Sequence, residues 1–123
     1  MPGADTTFSA TDFSLAGTAP AKAGTTVVRI RNQGKQLHEV NLVELMPDKK
    51  VDDLVAWFKA PTGPPPASFQ SGVAVKPGEE GTTEFQLDSG VSYAFICGIP
   101  DSLAGDFVPH ILKGMYTAAF TVS

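Results

Sequence analysis

Three residues able to bind a soft metal lie close together near the end of this chain. Within YAFICGIPDSLAGDFVPHILKGMYTAAFTV, residues 93–122, are Cys97, the only cysteine, His110, one of two histidines, and Met115, one of three methionines. A thiol, an imidazole and a thioether on one Gly- and Pro-containing loop form a soft donor set. Such a set suits copper: thiolate and thioether favour Cu(I), and imidazole serves both oxidation states. A mononuclear site of this kind needs one more imidazole, and His38 is the one candidate. Each residue also has a plainer reading. A lone cysteine is often a small buried hydrophobe, and a lone methionine is often core filler. A lone histidine at a strand start can be a core residue bonded to a loop carbonyl. The four together favour a metal.

These side chains need a frame, and the hydrophobic pattern supplies one. Residues 25–31 (TTVVRIR) alternate, with Thr26, Val28 and Ile30 on one face and Arg29 and Arg31 on the other, the pattern of a half-buried strand. Residues 37–45 (LHEVNLVEL) form the next strand, with His38, Val40 and Leu42 on its apolar side. Residues 82–87 (TTEFQL) and 91–97 (VSYAFIC) alternate again. Val91, Tyr93, Phe95 and Cys97 share one face, so Cys97 ends a strand. Residues 115–122 (MYTAAFTV) are predicted as the last strand, with Tyr116, Ala118, Phe120 and Val122 on one face. Near the start, Phe8 and Phe13 differ in parity within residues 6–15 (TTFSATDFSL), which calls for a bulge or two short strands. Residues 1–5 read as frayed.

One segment changes period. Val51, Leu54, Val55 and Phe58 recur at i, i+3, i+4 and i+7, which predicts a short amphipathic helix near 51–59. Asp48 is expected as its N-cap, Asp52 and Asp53 sit in its first turn, and Trp57 is expected to pack on the sheet. Residues 60–72 (APTGPPPASFQSG) read as a proline-rich surface crossing, followed by a short strand at 73–75. The total is about seven or eight short strands with frequent turns, an all-β antiparallel Greek-key β-sandwich.

Composition narrows the function classes. A chain of 123 residues is read as one domain, 1–123. Net charge is −4 and the nine Lys and Arg are scattered, which argues against nucleic acid. No apolar run approaches the roughly 20 residues that span a bilayer. No signal peptide is visible, which does not assign a compartment. No Gly-x-Ser-x-Gly elbow is present, so a self-contained hydrolase has no support.

The pattern resembles the cupredoxins, the small blue copper proteins such as plastocyanin and azurin. RIRNQGKQLHEV looks like the segment that supplies that family's first histidine. PGEEGTTEFQLDSGVSYAFIC looks like the hairpin leading into its cysteine. PHILKGMYTAAFTV looks like its His-x3-Gly-Met segment and last strand. The resemblance covers most of the chain. It implies one copper ion held by His38, Cys97, His110 and Met115, single-electron transfer rather than enzymatic catalysis, and a periplasmic or otherwise extracytoplasmic home. It also implies a monomer that docks briefly with a redox partner protein near His110. Of the nearby apolar residues, Phe107 and Leu112 are expected to pack, with Pro109 and Ile111 nearer the surface.

One feature departs from the family. Twelve residues, 98–109, separate Cys97 from His110, where familiar plastocyanins and azurins have only a few. Turns at Pro100-Asp101 and Gly105-Asp106 could fold this loop back and bring the two ligands together; otherwise they stand apart. Two other readings compete with electron transfer: a metal-free interaction or structural domain, and Cu(I) carriage or storage with the same ligands.

Overall fold

The computed structural model describes residues 4–123. Seven strands and one helix follow in the order β1 (Thr6–Thr11), β2 (Ser14–Ala16), β3 (Gly24–Asn32), β4 (His38–Leu45), α1 (Val51–Lys59), β5 (Ala67–Val75), β6 (Glu80–Leu87) and β7 (Tyr93–Ile96). They form two sheets, ordered β2-β1-β3-β6 and β5-β4-β7. The chain is thus an all-β sandwich. Its pairs are antiparallel except β1 with β3, which run parallel from Thr6 opposite Val28 to Ala10 opposite Asn32. That pair sets the β1–β2 turn beside the turn that follows β3.

The core lies between the sheets. Val28 and Ile30 of β3 face Val40 and Leu42 of β4, with Phe8, Phe85, Phe95 and Cys97 among them. The alternating parity of β3 is realised, with Thr26, Val28 and Ile30 all buried. Strand β7 is buried on both faces. Tyr93 and Phe95 point into the sandwich, while Ala94 and Ile96 pack under Val51 and Leu54 of α1. A buried strand cannot show clean alternation of apolar and polar residues, and YAFI does not.

Four expectations are corrected here. The N-cap of α1 is Lys50 rather than Asp48; Asp48 takes a left-handed backbone, φ 65°, and Asp53 Oδ2 instead accepts the Lys50 N–H at 2.8 Å. Trp57 packs edge-on to Phe58, 5.3 Å between centroids, and donates to Gly63 O. Strand β5 begins at Ala67, well inside the supposed crossing. It is an edge strand whose register slips between Val40 and Leu42 of β4, so its side chains alternate poorly. There a Cβ on Gly72 would collide with Val40 O.

The fourth correction concerns the tail. Residues 115–122 form no regular strand; they touch β7 through isolated bridges, Tyr93 with Phe120 and Ile96 with Tyr116. Met115 and Val122 are buried with the main core, whereas Tyr116 leans on the helix side. At the other end, the part of the frayed stretch at residues 1–3 lies outside the described residues. Asp5 is tied down: its N–H reaches Val27 O at 2.8 Å and its carboxylate accepts the Val27 N–H at 2.7 Å.

Candidate metal centre

His38 opens β4, Cys97 follows β7, and His110 begins a short 3-10 turn, His110–Lys113. The long loop between the last two closes on itself. Pro100 bridges Pro109, Asp101 N–H donates to Val108 O, and His110 N–H donates to Ile99 O at 2.8 Å. Residues 98–109 therefore form a narrow excursion, and the cost of closing it rises only slowly with its length. Cys97 and His110 end side by side, with Sγ 3.4 Å from Nδ1. One ligand atom from each of His38, Cys97 and His110 lies within 4.8 Å of the other two. The His38 and His110 rings are 4.8 Å apart, tilted by 53°.

Met115 reaches the same end of the sandwich. Gly114, at φ 106°, turns the chain out of the 3-10 helix. Met115 N–H then donates to His110 O at 3.2 Å, and Met115 O accepts the Cys97 N–H at 3.0 Å. All four side chains are fully buried.

The hydrogen bonds around the imidazoles fix where their protons sit. Lys113 Nζ can only donate, and it reaches Asp101 Oδ2 at 2.6 Å. Asp101 Oδ1 accepts from Gln36 Nε2 at 3.2 Å. Gln36 Oε1 is thereby turned to His110 Nε2 at 2.8 Å and also receives the Ser102 N–H. The His110 proton belongs on Nε2, which leaves the Nδ1 lone pair facing Cys97. His38 is held in the same sense: its Nε2 lies 2.6 Å from Asp12 Oδ1. Its Nδ1 is the single buried side-chain nitrogen or oxygen without a hydrogen-bond partner among the described residues.

A buried acceptor left without a donor costs roughly 1–3 kcal/mol. A cation at this point would remove that cost, and two imidazole lone pairs beside a thiol form a donor set that suits copper. The residues present therefore fit one metal ion. Electrostatics agree. Burial, more than the Glu39 charge, pushes the Cys97 thiol up to about 11 against the N–H groups of Glu39 and Ile99. The thiol thus keeps its proton until a cation displaces it. Burial first, then the neighbouring His38, lowers the His110 pKa, which favours the neutral imidazole a metal requires.

The cover over the site differs from expectation. Phe107 is exposed, with a left-handed backbone, φ 55°, while Ile111 is buried against the residues under α1. The 3-10 turn rotates Ile111 inward, and the excursion carries Phe107 and Leu103 outward. Phe13 lies over His110, 5.1 Å between centroids, and Lys113 Nζ sits 5.3 Å from the Phe13 ring. His110 itself is therefore not at the surface. Asp12 and Gln36 escaped the sequence reading. Gln36 is two residues from His38 and could have been suspected; Asp12 carries no such signal.

No protein-family model matches the sequence, and no curated protein does. Solved structures do match. A dithionite-reduced auracyanin from the photosynthetic bacterium Roseiflexus castenholzii superposes with a TM-score of 0.56 at 19% identity, covering 98% of this chain and 99% of that one. Auracyanin A, a "blue" copper protein from Chloroflexus aurantiacus, gives 0.56 at 16% identity over 95% and 98%. Auracyanin B gives 0.54 at 20% identity over 95% and 86%. At such identities the likeness is one of fold, and the fold is that of the cupredoxins.

Proposed function

We propose that this cupredoxin-fold chain is a type 1 copper protein that carries single electrons, with His38, Cys97 and His110 as principal ligands and Met115 as a weak fourth. The observation that carries the reading is the convergence of two imidazoles and the only thiol within 4.8 Å of one another in a sealed interior. Copper held there would supply a one-electron Cu(I)/Cu(II) couple that soft sulfur and borderline nitrogen donors serve in both states.

The chain's own residues supply the rest. Asp12 and Gln36 hold protons on the outer ring nitrogens, which keeps the inner ones bare. The Glu39 N–H, 3.4 Å from Cys97 Sγ, would steady the sulfur as a thiolate once a cation has displaced its proton. Hydrogen bonds join the ligand segments to one another, so the donor atoms have little freedom to rearrange between oxidation states. Full burial of all four side chains excludes water and favours electron passage through the protein over direct reaction with a small molecule. This supports a carrier rather than an enzyme.

Docking would use the loop above the site. Leu103 and Phe107, 64% and 67% exposed, offer a small apolar surface on the loop that leads into His110, suited to a brief and weak redox encounter. Among the described residues no helix is long and apolar enough to cross a membrane. An extracytoplasmic home and a monomeric state follow from the family resemblance.

A reversible one-electron titration of the copper-loaded protein tests the role. Full recovery of both states with copper retained is expected. Copper release in either state would favour carriage or storage.

A further inference from the structure

The geometry points to Asp12 as a positioning residue that holds the His38 proton on Nε2, leaves Nδ1 bare, and through its negative charge favours the doubly over the singly charged metal. The last part rests on the copper reading above; the first two do not.

Both carboxylate oxygens of Asp12 are engaged. Oδ1 is 2.6 Å from His38 Nε2, and Oδ2 accepts the Lys35 N–H at 3.0 Å. The side chain is 20% exposed and is pinned between two turns that the parallel β1–β3 pair brings together. A carboxylate offers only acceptors, so a short bond to an imidazole nitrogen requires the proton on that nitrogen. The other nitrogen, Nδ1, is then a lone pair, and it is the buried atom that finds no partner.

The backbone leaves room for this bond at one place. A Cβ on Gly34 would collide with both Asp12 Oδ1 and His38 Nε2. Glycine is thus required there by the approach of the chain to the hydrogen bond itself.

The two imidazoles are held unequally. His110 donates to a neutral amide, Gln36 Oε1, at 2.8 Å, whereas His38 faces a carboxylate. An anionic acceptor draws the ring proton toward itself and makes the opposite nitrogen a stronger donor. A stronger donor, with a negative charge behind it, stabilises Cu(II) more than Cu(I). His38 becomes the ligand that biases the couple, and Asp12 sets the bias.

The test begins with the metal-free wild-type protein, where long-range proton–nitrogen NMR correlations report which His38 nitrogen carries the proton. Nε2–H with bare Nδ1 is expected; a proton on Nδ1 overturns the inference. Asp12→Asn keeps the shape but must present its NH2 to one of two donors, so loss of the single tautomer is expected. Gly34→Ala leaves the charge in place and pushes the two groups apart; it should also loosen the tautomer. A single unchanged tautomer in both variants overturns the positioning role.

The charge is read on copper-loaded protein. Loss of such an outer partner costs 10–100-fold in metal affinity. A tenfold greater loss for Cu(II) than for Cu(I) raises the potential by about 59 mV, and a rise of that order is expected for Asp12→Asn, with a smaller one for Gly34→Ala. An unchanged potential in Asp12→Asn overturns the bias. If the wild type takes up no copper, the copper reading fails, while the His38 proton position still decides the role of Asp12.

Discussion

Gln36 Oε1 lies 2.8 Å from His110 Nε2, and the same amide donates through its nitrogen to Asp101 Oδ1 at 3.2 Å. One buried side chain thus connects a candidate ligand to Asp101 of the long loop, which is paired with Lys113 of the 3-10 turn. Gln36→Leu should leave the His110 N–H without an acceptor at a cost of about 1–3 kcal/mol. Denaturant unfolding of the metal-free protein measures that, and copper affinity should fall 10–100-fold. Unchanged stability and affinity would show that the amide positions nothing.

Met115 is fully buried and its backbone is bonded to both Cys97 and His110. Met115→Leu conserves volume and should cost less than about 1.5 kcal/mol. On the proposed ligand set Met115 would be a weak fourth donor, so its loss should leave copper bound and shift the potential. Voltammetry with copper analysis checks this; complete loss of metal would make Met115 a principal ligand.

The loop should be acid-sensitive. Asp101 is held well below the usual carboxylate range, first by the Lys113 hydrogen bond and then by the Ala104 N–H. A group whose folded pKa is lowered adds stability that is complete above its unfolded pKa, about 3.9 for Asp. That stability is lost as pH falls below that value toward the folded one. The stability gap between wild type and Asp101→Asn, followed by urea unfolding, should be constant above about pH 5 and narrow below about pH 4. A gap that widens in acid would reverse the assignment.

Copper uptake should weaken as pH falls, because the thiol must lose its proton and the imidazoles must be neutral to bind. Cys97 is the candidate ligand that is protonated at neutral pH, so a pH-stat should record about one proton released per Cu(II) bound. Uptake independent of pH would be incompatible with this ligand set.

Much of the frame was legible because it rests on local patterns. The alternation of Thr26, Val28 and Ile30 marked β3, and the spacing of Val51, Leu54, Val55 and Phe58 marked α1. What was not legible depends on long-range contacts. Strand β5 owes its existence to pairing with β4 rather than to its own alternation. The tail at 115–122 alternates by residue type yet meets β7 at separate points, Phe120 with Tyr93, Thr117 with Phe95 and Tyr116 with Ile96, rather than along a continuous ladder. Local spacing could not decide whether Cys97 and His110 meet, since that depends on the Ile99–His110 bond that closes the loop. Asp12 lies 26 residues before His38 and reaches it through the parallel β1–β3 pair, a relation no sequence window contains. Phe107 and Ile111 exchanged their expected places because the 3-10 turn rotates Ile111 inward while the loop before it leaves Phe107 exposed with a left-handed backbone.

The most direct test of the account is the visible spectrum after one equivalent of Cu(II) is added to the purified, reduced, metal-free protein, with Cys97→Ser measured alongside. The account predicts an intense thiolate-to-copper band in the wild type and none in the variant. No band and no bound copper, or the same band in Cys97→Ser, would contradict it.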